Sequence, residues 1–68
     1  METFKVKGEF IQLNQLLKVL GWCESGAEAN ESIDKGWVKV NDSVELRKRN
    51  KIVKGMIVSF NHNKVTVE

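Results

Sequence analysis

Residues 25–47, SGAEANESIDKGWVKVNDSVELR, decide how this chain is read, because the apolar period changes once inside them. In the first half, Ser25 is followed three residues later by Glu28. That is capping-box spacing: the hydroxyl accepts from a first-turn N–H while the carboxylate reaches back to the incoming backbone. Ala27, Ala29 and Ile33 then give a small, apolar face suited to close helix packing, and Glu24, Glu28, Glu31 and Lys35 line the opposite, mostly acidic side. Gly36 supplies the stop. Beyond it the period becomes two. Val38 and Val40 alternate with Trp37 and Lys39, and Val44 and Leu46 alternate with Glu45 and Arg47. Asn41 and Asp42 tolerate the positive φ of a tight turn, so a β-hairpin is predicted, with Lys39 and Arg47 pointing outward.

Upstream, Leu13, Leu16, Leu17 and Leu20 recur at i, i+3, i+4 and i+7, one stripe of a helix, with Asn14, Gln15 and Lys18 on its other side. Gly21 follows as a left-handed cap, and Trp22, in the GWCE joint, is expected to anchor the core. TFKVK near the start alternates as a short strand does, and KGMIVSF, NHN and KVTV give a second strand pair with its own turn. The predicted order is a strand, two helices and about four strands. This is an α+β fold, two short helices packed on a small antiparallel β-sheet with hairpins, in a single domain spanning 1–68.

Sixty-eight residues leave little room for an enclosed active site. One histidine, one cysteine and no tyrosine, without triad, metal-cluster or phosphate-loop spacing, argue against an enzyme, a metal or a cofactor. His62, between two asparagines, is expected to be a solvated turn residue, and Cys23 a packed thiol. No apolar run approaches the roughly 18 residues of a membrane span. The N-terminus lacks a secretory pattern, and the lone cysteine suits a reducing, cytoplasmic setting. The formal net charge is only +2, but it is unevenly spread. Residues 1–34 carry three lysines against six acids, whereas residues 35–54 carry seven lysines and arginines against two acids. Such a polarised segment attracts polyanions even when the whole molecule is nearly neutral.

Residues 10–60 resemble the S4 RNA-binding domain, whose core, the αL motif, is two short helices followed by a hairpin. The resemblance rests on the order and spacing of LLK, SGAEA, GWVKVND and RKRNKIVKGMIV, and is strongest to small bacterial proteins made of this domain alone. It implies a non-catalytic module that binds structured RNA, ribosomal or transfer RNA, through the second helix and the basic hairpin. It further implies a monomer associated with RNA or ribosomal particles. By position, the RNA-binding candidates are Lys18, Ser25, Gly26, Lys39, Asn41, Arg47, Lys48, Arg49 and Lys51. Lysines and arginines there would neutralise phosphates, arginine with planar bidentate hydrogen bonds. Ser25 and Gly26 are first of all a helix cap, with Glu24 and Glu28 beside them opposing an anion. Many relatives carry arginine where Gly26 stands and lysine where Asn30 stands, which lowers the positive charge of the second helix. That loss motivates an alternative, a protein-interaction adaptor using the acidic face Glu24, Glu28 and Glu31. Trp37 is expected to be buried at the helix–hairpin junction; exposed beside cations, it could stack on an unpaired base.

Overall fold

Both helices form where the leucine stripe and the capping box predict them. The computed structural model describes residues 2–68. Its elements are β1 (Glu2–Phe4), β2 (Ile11–Gln12), α1 (Leu13–Val19), α2 (Gly26–Asp34), β3 (Val38–Val40), β4 (Ser43–Val44), β5 (Lys51–Ile52), β6 (Ile57–Phe60) and β7 (Asn63–Val67). At the start of α2 the Ser25 hydroxyl accepts the Glu28 N–H at 3.2 Å. The Glu28 carboxylate accepts the Glu24 N–H at 3.1 Å, one residue earlier than in the usual box. Both helices end alike. Gly21 and Gly36, at φ 78° and 76°, occupy the left-handed region that a side chain would strain. The N–H groups of Gly21 and Trp22 reach the carbonyls of Lys18 and Leu17; those of Gly36 and Trp37 reach Ile33 and Ser32. These are paired Schellman closures, which satisfy carbonyls that a helix end otherwise leaves open.

Five strands form one sheet in the order β1-β7-β6-β3-β4, and β2 pairs with β5 in a separate two-stranded antiparallel sheet. One face of the large sheet buries Val38, Val40, Val58, Phe60, Val65 and Val67. Leu13, Leu16 and Leu17 of α1, Ala29 and Ile33 of α2, and Ile52 complete the same core. The short Ala29 side chain lets the helices approach, and between them the Asn14 amide donates to Asn30 Oδ1 at 3.0 Å. Asn30 thus has a structural use. Trp22 packs half-buried against the core, as expected.

Three expectations change. The sheet is mixed rather than antiparallel, because β1 lies parallel to β7 with Glu2 opposite Val65 and Phe4 opposite Val67. Alternation tells which residues face inward, not which way a strand runs. Second, the far arm of the hairpin stops at Val44, and Val44 and Leu46 are 52% and 59% exposed rather than inward. The turn decides this. Asn41 and Asp42, at φ 52° and 68°, make a two-residue loop that sets Val40 opposite Ser43 and Lys39 opposite Val44. Val44 therefore takes the outward face of Lys39, and a register fixed by the turn overrides the apolar pattern. Third, Trp37 is 54% exposed rather than buried.

Candidate nucleic-acid interface

The segment between β4 and β5 carries the densest positive charge, and it is tied to both helices. Carbonyls of Asn50 and Lys48 accept the N–H groups of Leu13 and Asn14 at 2.9 and 3.0 Å. These are first-turn donors of α1, which have no partner within their own helix. Lys48 Nζ lies 3.0 Å from Asp34 Oδ2 in the last turn of α2. Lys51, in β5, stands over the Phe10 ring at 5.0 Å from its centroid. The basic loop is thereby held against the start of α1 and the end of α2 and presents its cations from a fixed backbone.

A carboxylate organises the loop from within. Glu45 accepts Arg47 Nε at 3.0 Å, an Arg47 terminal nitrogen at 3.2 Å, the Arg47 N–H at 3.0 Å and Asn50 Nδ2 at 3.2 Å. Its hydrogen bond with the Arg47 side chain holds the Glu45 carboxyl below the usual carboxylate range, and the same contact raises Arg47. Two of the four loop cations are therefore already paired, Arg47 with Glu45 and Lys48 with Asp34. Arg49 is exposed and Lys51 faces a ring rather than an acid, so these two keep the most uncompensated charge. Glu45 and Asn50 were not legible as organisers, because a Glu-x-Arg spacing occurs on any charged surface.

The other candidates fall into separate places. Lys18, exposed, is in the last turn of α1. Ser25 and Gly26 cap the start of α2, with nothing within 4 Å of where a side chain at Gly26 would stand. Lys39 lies on the outer face of the large sheet, opposite the helices, and the register does not continue that face to Arg47. Asn41 is engaged in the fold: its Oδ1 accepts the Ile57 N–H at 2.9 Å, and its own N–H reaches the Ile57 carbonyl at 2.7 Å. Of the acidic face, Glu31 is bound to Lys35 at 2.8 Å and Glu28 closes the cap. Cys23 is buried, and burial pushes its thiol up. His62 is exposed in the turn between β6 and β7. No helix among the described residues is long and apolar enough to cross a membrane.

Two short helices followed by a hairpin, with a basic loop fastened across them, describe a known class of domain, and the chain belongs to the S4 domain family, which matches residues 4–68. It is 50% identical over 68 residues to YbcJ of Escherichia coli strain K12, covering 98% of this chain and 97% of that protein, whose given name describes it provisionally as RNA-binding. The YbcJ protein of Shigella flexneri matches to the same extent. The solution structure of Escherichia coli YbcJ superposes with a TM-score of 0.74, covering 98% of this chain and 86% of that one, and is described as revealing an αL motif involved in RNA binding.

Proposed function

We propose that this chain is a non-catalytic module that binds structured RNA, ribosomal or transfer RNA, through the loop of Arg47, Lys48, Arg49 and Lys51 together with the adjoining helices. The observation that carries the reading is the attachment of this loop to α1 through the carbonyls of Lys48 and Asn50 and to α2 through the ion pair of Lys48 with Asp34. Cations on a preordered backbone lose less freedom on meeting phosphate than cations on a free loop. Membership of the S4 domain family, with its RNA-binding relatives, supports the same reading. Arg49 and Lys51 are the principal phosphate contacts. Arg47 and Lys48 join by exchanging or sharing their acidic partners, and Lys18, Ser25 and Gly26 form a secondary contact at the other end of the helix pair. Asn41 is left to the fold. The adaptor reading is weaker, because Glu28 and Glu31 of its acidic face are engaged within α2 and its cap.

The test is fluorescence-anisotropy binding to ribosomal and transfer RNA fragments across a salt series. Neutralising three phosphates would weaken binding about 40-fold between 50 and 200 mM salt, using a slope of roughly −0.9 per phosphate. Arg49→Gln is expected to lower affinity and slope more than Arg47→Gln, with folding checked by circular dichroism. Absence of binding at low salt would sink the proposal. A protein partner that survives nuclease and is lost when Glu24, Glu28 and Glu31 are changed would put the adaptor in its place.

A further inference from the structure

The outer face of the large sheet is used by neither the core nor the basic loop. On it, Lys39, Ser59 and Lys64 stand in one row across β3, β6 and β7, since Lys39 is opposite Ser59 and Ser59 opposite Lys64. The two lysines are thus two strand spacings apart, about 9.6 Å, with a hydroxyl between them. Trp37 lies two residues before Lys39, so it is about 6.6 Å along the same face. An open concavity of about 280 Å³ is bounded by Trp37, Lys39, Ser59, His62 and Lys64, with Asp42 as its acid.

Trp37 is exposed for an identifiable reason. Trp22 and Trp37 occupy the same position after their helices, where an apolar side chain ordinarily packs back on the third residue from the helix end. That residue is Leu17 in α1 and Ser32 in α2. Trp22 settles on the core; Trp37 lacks the apolar partner and stays out. Its side chain borders two concavities. The one towards α2 also contains Lys35, whose Nζ stands 4.8 Å from the ring centroid. Trp37 is 54% exposed and also lines the concavity on the sheet side with Lys39 and Lys64, which Lys35 does not border.

We propose that this outer face binds one unpaired nucleotide of an RNA, its base stacked on the side of Trp37 away from Lys35 and its phosphate held between Lys39 and Lys64. The proposal rests on the RNA-binding reading above and adds a second contact surface on the opposite side of the sheet. Stacking of a base on an aromatic side chain tolerates any base, and flanking lysines supply the charge that the phosphate requires. A domain with contacts on both sides selects paired RNA next to an unpaired nucleotide over a continuous duplex.

The experiment uses the full chain carrying Trp22→Phe, so that Trp37 is the sole indole, titrated with hexa-adenylate and with a fully paired RNA hairpin. Saturable quenching by hexa-adenylate is expected, about 5- to 150-fold weaker hexa-adenylate binding by anisotropy in Trp37→Ala, and partial recovery in Trp37→Phe. Lys39→Gln with Lys64→Gln is expected to weaken the quench, whereas changing Arg47, Lys48 and Arg49 to Gln is expected to leave quenching by the hexamer largely in place. RNA binding that leaves Trp37 emission unchanged and is the same in Trp37→Ala overturns the site but not the RNA-binding reading. No binding of any RNA by the unaltered protein overturns both.

Discussion

Replacing Asn41 by alanine and by glycine separates two things this one residue does. Asn41 sits at φ 52° and accepts the Ile57 N–H through its side chain at 2.9 Å, joining the β3–β4 turn to the first residue of β6. Alanine loses that hydrogen bond, about 1 kcal/mol net. It also has to adopt left-handed backbone, which costs a residue with Cβ about 1–2 kcal/mol, a cost asparagine partly relieves. The expected destabilisation is therefore about 2–3 kcal/mol. Glycine loses the hydrogen bond but accepts the backbone freely; its larger unfolded-state entropy adds a few tenths to the loss, giving about 1–1.5 kcal/mol. For a domain this small, urea unfolding changes by about 1 kcal/mol per molar. The midpoint should fall by about 2–3 M for Asn41→Ala and about 1–1.5 M for Asn41→Gly, a large fraction of a small domain's stability. Circular dichroism during urea titration reads both. Equal losses in the two variants would refute the backbone argument, and a loss below about 0.5 kcal/mol in both would refute the role of the turn. RNA affinity per folded molecule should be unchanged in Asn41→Gly, since that side chain is occupied within the fold.

Two other changes probe the loop and the core. Glu45→Gln removes the acid paired with Arg47 while keeping its shape, so RNA binding should strengthen and the salt slope steepen by up to about one phosphate. Because the carboxyl of Glu45 is lowered from 4.5, its stabilising effect is complete above that pH and is lost as acid takes pH below it; Glu45→Gln should unfold with a shallower acid dependence in that window. Cys23 is buried beside Ser32, with Sγ 4.0 Å from Oγ, and burial raises its thiol above 9.0. A thiol reagent at pH 8 should label native protein far more slowly than protein unfolded in urea, and rapid native labelling would contradict the packing.

The local signals were legible because each depends on a few neighbouring residues. Leu13, Leu16 and Leu17 mark the buried face of α1, Ser25 and Glu28 cap α2, Gly21 and Gly36 end the helices, and Asn41–Asp42 turn the hairpin. What could not be read depends on distant partners. Nothing near Thr3 tells that its neighbour is Thr66 or that the strands run the same way. Val44 and Leu46 look like core residues until the turn fixes their parity. The two Gly-Trp pairs look identical, and the residue that separates their fates lies five positions before each tryptophan. The basic run was visible as a run, but not the acids that already hold Arg47 and Lys48.

The parallel edge has a mechanical consequence. Tension applied between Glu2 and Glu68 pulls β1 and β7 past one another along their length. The pairs Glu2–Val65, Thr3–Thr66 and Phe4–Val67 then share the load, together with the hydrogen bonds from Glu68 to Phe4 and from Val6 to Glu68 at 2.8 and 2.9 Å. An antiparallel edge gripped at one end would instead unzip a rung at a time. In a force experiment through those residues, this small domain should resist as a clasp loaded in shear. Replacing Val6 by proline, which removes the N–H that donates to the Glu68 carbonyl, should bring the rupture force down sharply.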